Sequence, residues 1–137
     1  MSIVASEFSP YAQQLGLQIV EQSGTEWLFE LPGDERFVGN PVLSAFHGGV
    51  ICGAMNSCMM ITLMQLNHLS QQPELVNQTT SFLGATSTEQ SIFIRTVLTK
   101  PGKRILSAYC RAFQESESQL VAKSSALFKV TAPAVVR

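Results

Sequence analysis

The chain has 137 residues, of which 45% are hydrophobic and only 14% are charged, so it is long and apolar enough for one domain with its own core. A net charge of −1 argues against a nucleic-acid-binding surface, which would need a clear excess of Lys and Arg. The low charge favours an assembly in which another copy of the chain covers part of the surface. We expect a single domain over residues 1–137.

Neither a leader nor a metal site is predicted. The N-terminus lacks a basic start followed by a long apolar region, so no signal peptide is evident. Cys52, Cys58 and Cys110 cannot all pair with one another and lack the spacing of metal ligands, which favours reduced thiols in a cytoplasmic protein. The apolar run 50–64 is shorter than the roughly 20 residues that span a bilayer, and Asn56 interrupts it, so no membrane partner is expected.

The first part of the chain predicts a short helix, a β-hairpin and a loop. Ser9 and Pro10 are typical of the N-cap and first position of a helix, and Gly16 is suited to ending it. The following residues alternate between polar and apolar around a Ser-Gly turn, as in paired strands. In chain order we predict a helix at 10–15, strands at 17–21 and 26–31, and a loop at 32–46 with a helical turn near 34–36.

The second part predicts one long helix and then a series of strands. The helix, at about 48–69, is apolar nearly all round, so it should be buried. The strands are predicted at 75–83, 91–99, 104–113 and 120–130. This order predicts an α+β fold in which an antiparallel sheet curves around a single central helix.

The sequence His47-Gly48-Gly49-Val50 at the start of the long helix is the strongest candidate site. Glycine lets backbone approach a ligand closely, and a helix start presents unpaired N–H groups at the positive end of the helix dipole. Such a site suits a carbonyl oxygen that gains negative charge. We predict that one or more of these N–H groups hold a substrate oxygen; the alternative is close packing of the helix against a strand.

Asn56 is the polar side chain that breaks the apolar surface of this helix. It shares a helix face with Gly49 but lies about 10.5 Å further along the axis, too far for both to act on one carbonyl. Two antiparallel helices across a two-fold axis would bring Asn56 of one chain near Gly49 of the other. Asn can orient water or hold a carbonyl but cannot accept a proton at neutral pH. The alternative is a buried Asn that is hydrogen-bonded to backbone.

Three features together resemble a known family: the order of elements with His-Gly-Gly-Val at the helix start, the turn Lys100-Pro101-Gly102-Lys103-Arg104-Ile105, and the last strand at 120–130. They resemble hotdog-fold thioesterases, most closely the phenylacetic-acid-degradation type, over about residues 15–130. The resemblance implies hydrolysis of acyl-CoA thioesters without a further cofactor or metal. It also implies a homodimer or homotetramer with the site at the subunit interface.

The resemblance extends the set of candidate residues and also shows a departure. It implies catalytic roles for Asn56, Gly49 and His47, and substrate contacts from Asn40, Gly48, Val50, Lys103 and Arg104. The two basic residues would bind CoA phosphates, unless they form only a solvated hairpin tip. Family members usually carry Asp or Glu nine residues after the His, where this chain has Asn56.

Asn at this position leaves three functions open. The first is thioester hydrolysis with Asn56 positioning water, or with Asp34, Glu35 or His47 as the base. The second is acyl-CoA binding with little or no catalysis. The third is a dehydratase, which is less favoured because its His-plus-acid helix pattern is not evident.

Overall fold

A six-stranded antiparallel sheet wraps around one long helix, which confirms the predicted α+β class and hotdog arrangement. The computed structural model describes residues 9–100 and 104–130. Its helices are α1 (Pro10–Leu15) and α2 (Gly48–Leu66), and its strands are β1 (Gln18–Ser23), β2 (Glu26–Leu31), β3 (Val38–Asn40), β4 (Ala45–Phe46), β5 (Glu74–Phe82), β6 (Ile92–Lys100), β7 (Ile105–Phe113) and β8 (Leu120–Lys129).

The strand order places β5 at one edge of the sheet. The order is β1-β2-β6-β7-β8-β5, so β1 forms the other edge, and β3 and β4 make a separate two-stranded sheet. Along β7, Leu106, Ala108 and Cys110 point into the core, as their alternation predicts. Burial raises the pKa of Cys58 and of Cys110, as expected for thiols in a core, whereas Cys52 is only half-buried.

Helix α2 forms the centre of the core. Its residues are buried on nearly all sides, including four methionines: Met55, Met59, Met60 and Met64. By length and composition the helix could also cross a membrane, but here it packs against the concave face of the sheet.

The helix ends at Leu66, three residues before the predicted end at 69. The side-chain amide of Asn67 donates to the Leu63 carbonyl at 2.9 Å, and His68 takes a positive φ of 53°, which a continuing helix does not allow.

The prediction that residues 32–46 form a loop is wrong in part. The helical turn is present at Glu35–Phe37, but the rest contains the hairpin β3–β4. The rings of Phe37 and Phe46 are buried and stack with centroids 6.0 Å apart, which fixes the hairpin against the core. Two strands this short leave too few residues for an alternating pattern to show in the sequence.

Candidate active site

Helix α2 lies along the inner face of β5, the strand at the open edge of the sheet. Four helix residues advance about 6 Å and two strand residues about 6.6 Å. Every fourth residue of the helix therefore stays beside every second residue of the strand. The contacting pairs, which we call the α2–β5 contact, are Gly48 with Phe82, Cys52 with Thr80, and Asn56 with Gln78. This places the two parts of the predicted site, the helix start and Asn56, along one free edge of the sheet.

At the helix start, the free donor is the N–H of Gly48. The Gly49 N–H donates to Nδ1 of His47 at 2.9 Å, so the histidine caps its own helix. The N–H groups of Val50 and Ile51 reach the His47 carbonyl at 3.0 and 3.3 Å. Within the described parts of the chain, the Gly48 N–H has no partner. The donor that remains open to a ligand is therefore the one beside Phe82.

The cap also fixes the proton position in the neutral His47 ring. Since Nδ1 accepts a hydrogen bond, the ring proton is on Nε2. His47 is exposed, so this second N–H can donate to a ligand at the helix start. In this arrangement His47 serves as a cap and as a donor, rather than as a proton acceptor.

The hairpin before α2 packs directly on the first turn. A Cβ at Gly39 would lie 2.7 Å from the His47 Cα, so only glycine allows this approach. The Asn40 Oδ1 accepts from the N–H groups of Val42 and Leu43 at 3.0 and 3.4 Å and thereby shapes the exposed turn. Sequence reasoning missed Gly39, since a lone glycine in a loop carries no distinct signal. A substrate contact from Asn40 stays a prediction.

Asn56 is half-buried and is held by another side chain rather than by backbone. Its Nδ2 donates to Oε1 of Gln78 at 3.3 Å. The alternative of an Asn bonded to backbone is therefore not what the structure has at this position. Among the hydrogen bonds of the described residues, none involves the Asn56 Oδ1. This oxygen is an acceptor available to water or substrate.

Sequence reasoning missed two further residues of the polar cluster around Asn56, namely Gln78 and Ser124. Gln78 Nε2 donates to the Cys52 carbonyl at 3.2 Å and to the Ser124 Oγ at 3.0 Å. Ser124 is buried between two alanines on the core face of β8. A polar residue at an inward position of an alternating strand is the signal that could have identified Ser124, whereas Gln78 lies in a polar run that shows no alternation.

Tyr11 of α1 rests on the outer side of the second turn of α2. A Cβ at Gly53 would collide with the Tyr11 hydroxyl, which agrees with the packing role that an internal glycine suggests. Burial, with a smaller contribution from Cys52, raises the pKa of Tyr11. Tyr11 is therefore a neutral phenol that covers this side of the site.

Asp34 is poorly suited to act as the base. The Arg36 backbone N–H donates to one carboxylate oxygen at 2.8 Å, and the Arg36 side chain donates to the other at 3.0 Å. These bonds lower the pKa of Asp34 and make it a weaker proton acceptor. The neighbouring Glu35 is exposed on the same short turn.

Within one chain, Arg104 and the helix start lie at opposite ends of the sheet. Phe82 pairs with Ala122, which pairs with Ala112 near the end of β7, whereas Arg104 directly precedes β7. At about 3.3 Å per strand residue, the separation along the sheet is roughly 26 Å. Lys103 lies outside the described residues. A single chain therefore does not bring Arg104 to Gly48.

Solved structures match nearly the whole chain, although no protein-family model and none of the curated proteins matches its sequence. A protein from Chromobacterium violaceum is 31% identical, over 93% of this chain and 87% of that one, with a TM-score of 0.72. Thioesterase superfamily member 2 from Mus musculus is 16% identical, over 93% and 92%, with a TM-score of 0.78. A phenylacetic acid degradation-related protein from Ralstonia eutropha is 19% identical, over 88% and 89%, with a TM-score of 0.79.

The sheet around one helix, together with these neighbours, defines the class as a hotdog-fold protein. The chain therefore has the fold of solved structures that are described as thioesterases or members of the thioesterase superfamily.

Proposed function

We propose that the chain is an acyl-CoA thioesterase in which N–H groups at the start of α2 polarise the thioester carbonyl and Asn56 positions the attacking water. One observation carries the proposal: among the residues that the structure describes, an unpartnered N–H at the positive end of a buried helix lies on the same α2–β5 contact as an unpartnered amide oxygen. The thioesterase neighbours support the reaction class. The free thiols agree with a cytoplasmic location.

The chemistry needs few groups. Water attacks the thioester carbon, the carbonyl oxygen takes the negative charge, and the C–S bond then breaks to release an acid and the CoA thiolate. The Gly48 N–H and the Nε2–H of His47 are donors for that oxygen. Asn56 accepts a hydrogen bond from the water but not its proton, which passes to solvent or to the departing sulfur. We therefore expect slow turnover, by about 10²–10⁴-fold relative to a carboxylate base.

The open edge of the sheet supports a site shared between two subunits. Apolar side chains are exposed on or beside β5: Leu75, Val76, Phe82 and Leu83. Antiparallel pairing of β5 with its copy would continue the sheet and cover them. With the two-fold axis at Thr80, the partner's Gln78 lies opposite Phe82. The partner's Asn56 then lies at the same end of α2 as Gly48, which is the arrangement that a site shared between two chains requires.

We expect a dimer that a charge on β5 dissociates. Val76→Lys should give a monomer and lower the hydrolysis rate, because Lys at a strand edge opposes pairing. Val20→Lys is the matched control, since Val20 is similarly exposed on β1, the other edge of the sheet. Sedimentation velocity at micromolar concentration measures both variants. A wild-type monomer with full activity would contradict the shared site.

The same dimer would explain how the basic turn reaches CoA. Antiparallel pairing of β5 brings the partner's Arg104 to the end of the sheet that holds Gly48. Lys103 and Arg104 would then bind the CoA phosphates of the site in the other subunit. Charge-assisted bonds from Lys and Arg suit phosphate groups.

Thiol release from a panel of acyl-CoA thioesters tests two proposals together: the hydrolysis itself, and the binding of the CoA phosphates by Lys103 and Arg104. We expect hydrolysis of at least one acyl-CoA. The double variant Lys103→Ala with Arg104→Ala should raise KM for CoA thioesters, most at low salt, and leave the N-acetylcysteamine thioester of the same acid unchanged. Lys123→Ala, on the outer face of β8, is the control. Tight acyl-CoA binding without turnover would instead favour the binding-protein alternative.

A further inference from the structure

The hydrogen bonds around Gln78 have a fixed direction, because two of the groups that take part in them are backbone carbonyls. A carbonyl can only accept, so Gln78 Nε2 must be the donor to the Cys52 carbonyl at 3.2 Å. The Ser124 hydroxyl has acceptors other than Gln78 for its one proton, namely the Thr79 carbonyl at 3.1 Å and the Thr80 Oγ1 at 2.9 Å. The Ser124 oxygen is then an acceptor, and the second N–H of Gln78 Nε2 donates a hydrogen bond to it at 3.0 Å.

This direction leaves the Gln78 amide with one orientation. Turning it over would place Oε1 against the Cys52 carbonyl and against a Ser124 oxygen whose proton is already used. Oε1 must therefore face Asn56, where it accepts from Nδ2 at 3.3 Å. Asn56 is oriented in turn, with its amide nitrogen toward β5 and its oxygen on the other side.

We propose that Gln78 is the positioning residue of the site, which holds the Asn56 amide so that Oδ1 and not Nδ2 faces the attacking water. An outward oxygen accepts a hydrogen bond from the water and leaves a water lone pair free for the thioester carbon. An outward Nδ2 would occupy that lone pair instead. The catalytic meaning of this role rests on the proposed hydrolysis, whereas the orientation itself does not.

Gln78→Met tests the role by kinetics. Met has similar length but neither donor nor acceptor of comparable strength, so the Asn56 amide can rotate. We expect kcat to fall roughly tenfold with KM nearly unchanged. Gln65→Met is the control, because Gln65 is on α2 and its side chain has no described hydrogen bond. In an Asn56→Ala background, Gln78→Met should cause no further loss, since its effect acts through Asn56. Wild-type kcat in Gln78→Met, or the same tenfold loss in both backgrounds, would overturn the proposal.

A second measurement does not depend on turnover. The side-chain amide signals of Asn56, identified by their loss in Asn56→Ala, should exchange with solvent more slowly than those of exposed Asn77. In Gln78→Met the two should exchange alike. Slow exchange that needs Gln78, in a protein that hydrolyses no thioester, would reject the proposed function but keep the orientation. Turnover with equal exchange of Asn56 in both proteins would keep the function and reject the role of Gln78.

Discussion

Gly48→Pro should lower kcat for thioester hydrolysis by roughly 10²–10³-fold, the loss typical of removing one donor from an oxyanion site. Proline has no N–H, so this change deletes the backbone donor that the helix start offers to a ligand. The fold should tolerate it, because proline is favoured at the first position of a helix. His47 already has φ −64° and ψ 130°, the extended conformation that a residue before proline adopts.

Gly48→Ala is the matched control for this experiment. Alanine keeps the N–H, and its Cβ would lie 3.4 Å from the Phe82 ring, which is ordinary van der Waals contact. We expect near wild-type kcat for alanine, and for both variants a circular dichroism spectrum like that of the wild type. Equal losses in the two variants would assign Gly48 to packing and not to the oxyanion.

Local sequence signals were enough for most of the fold. The Ser9 cap, which accepts from Tyr11 and Ala12, and the αL conformation of Gly16 delimit α1 as predicted. Strand β2 has the predicted bounds, and the apolar surface of α2 predicted a buried helix. The end of α2 was missed because a side-chain cap from Asn67 decides it. The β3–β4 hairpin was missed because tertiary packing of two phenylalanines holds it.

The site was less predictable, since its decisive features are not local. The sequence places three N–H groups at the helix start, but the His47 side chain decides which one is free by turning back on Gly49. The orientation of Asn56 depends on Gln78 and Ser124, which lie 46 residues apart and meet only through the register of β5 and β8. No spacing rule within one element could indicate that cluster.

The direction of these bonds changes what is expected of Asn56→Asp. A carboxylate at this position would place an acceptor oxygen against Oε1 of Gln78, which is itself an acceptor. The protonated carboxyl group, in contrast, can donate to Oε1. Partial burial and this contact both favour the neutral form, so the pKa of the new carboxyl group should be raised above its ordinary value.

The pH dependence of the variant follows from that raised pKa. Below it the carboxyl group cannot act as a base, and the rate should not exceed that of the wild type. As pH rises through it, the group ionises and accepts a proton from water, which should raise kcat by up to about 10²–10⁴-fold. Stability should change in the opposite sense. The native state binds the proton more tightly than the unfolded chain, so the free energy of unfolding falls as pH rises between the two pKa values.

Gln78→Met combined with Asn56→Asp identifies the cause of the shift. Removing the Oε1 acceptor takes away one of the two effects that favour the neutral form, so the rise in kcat should move to lower pH. Asn56→Ala is the control and should show no rise at all. The measurement is kcat against pH for the four proteins, with thermal unfolding recorded at each pH. A variant with Asp at this position that is slower than the wild type at every pH would show that Asn56 holds the substrate oxygen, since a carboxylate there would repel the oxyanion.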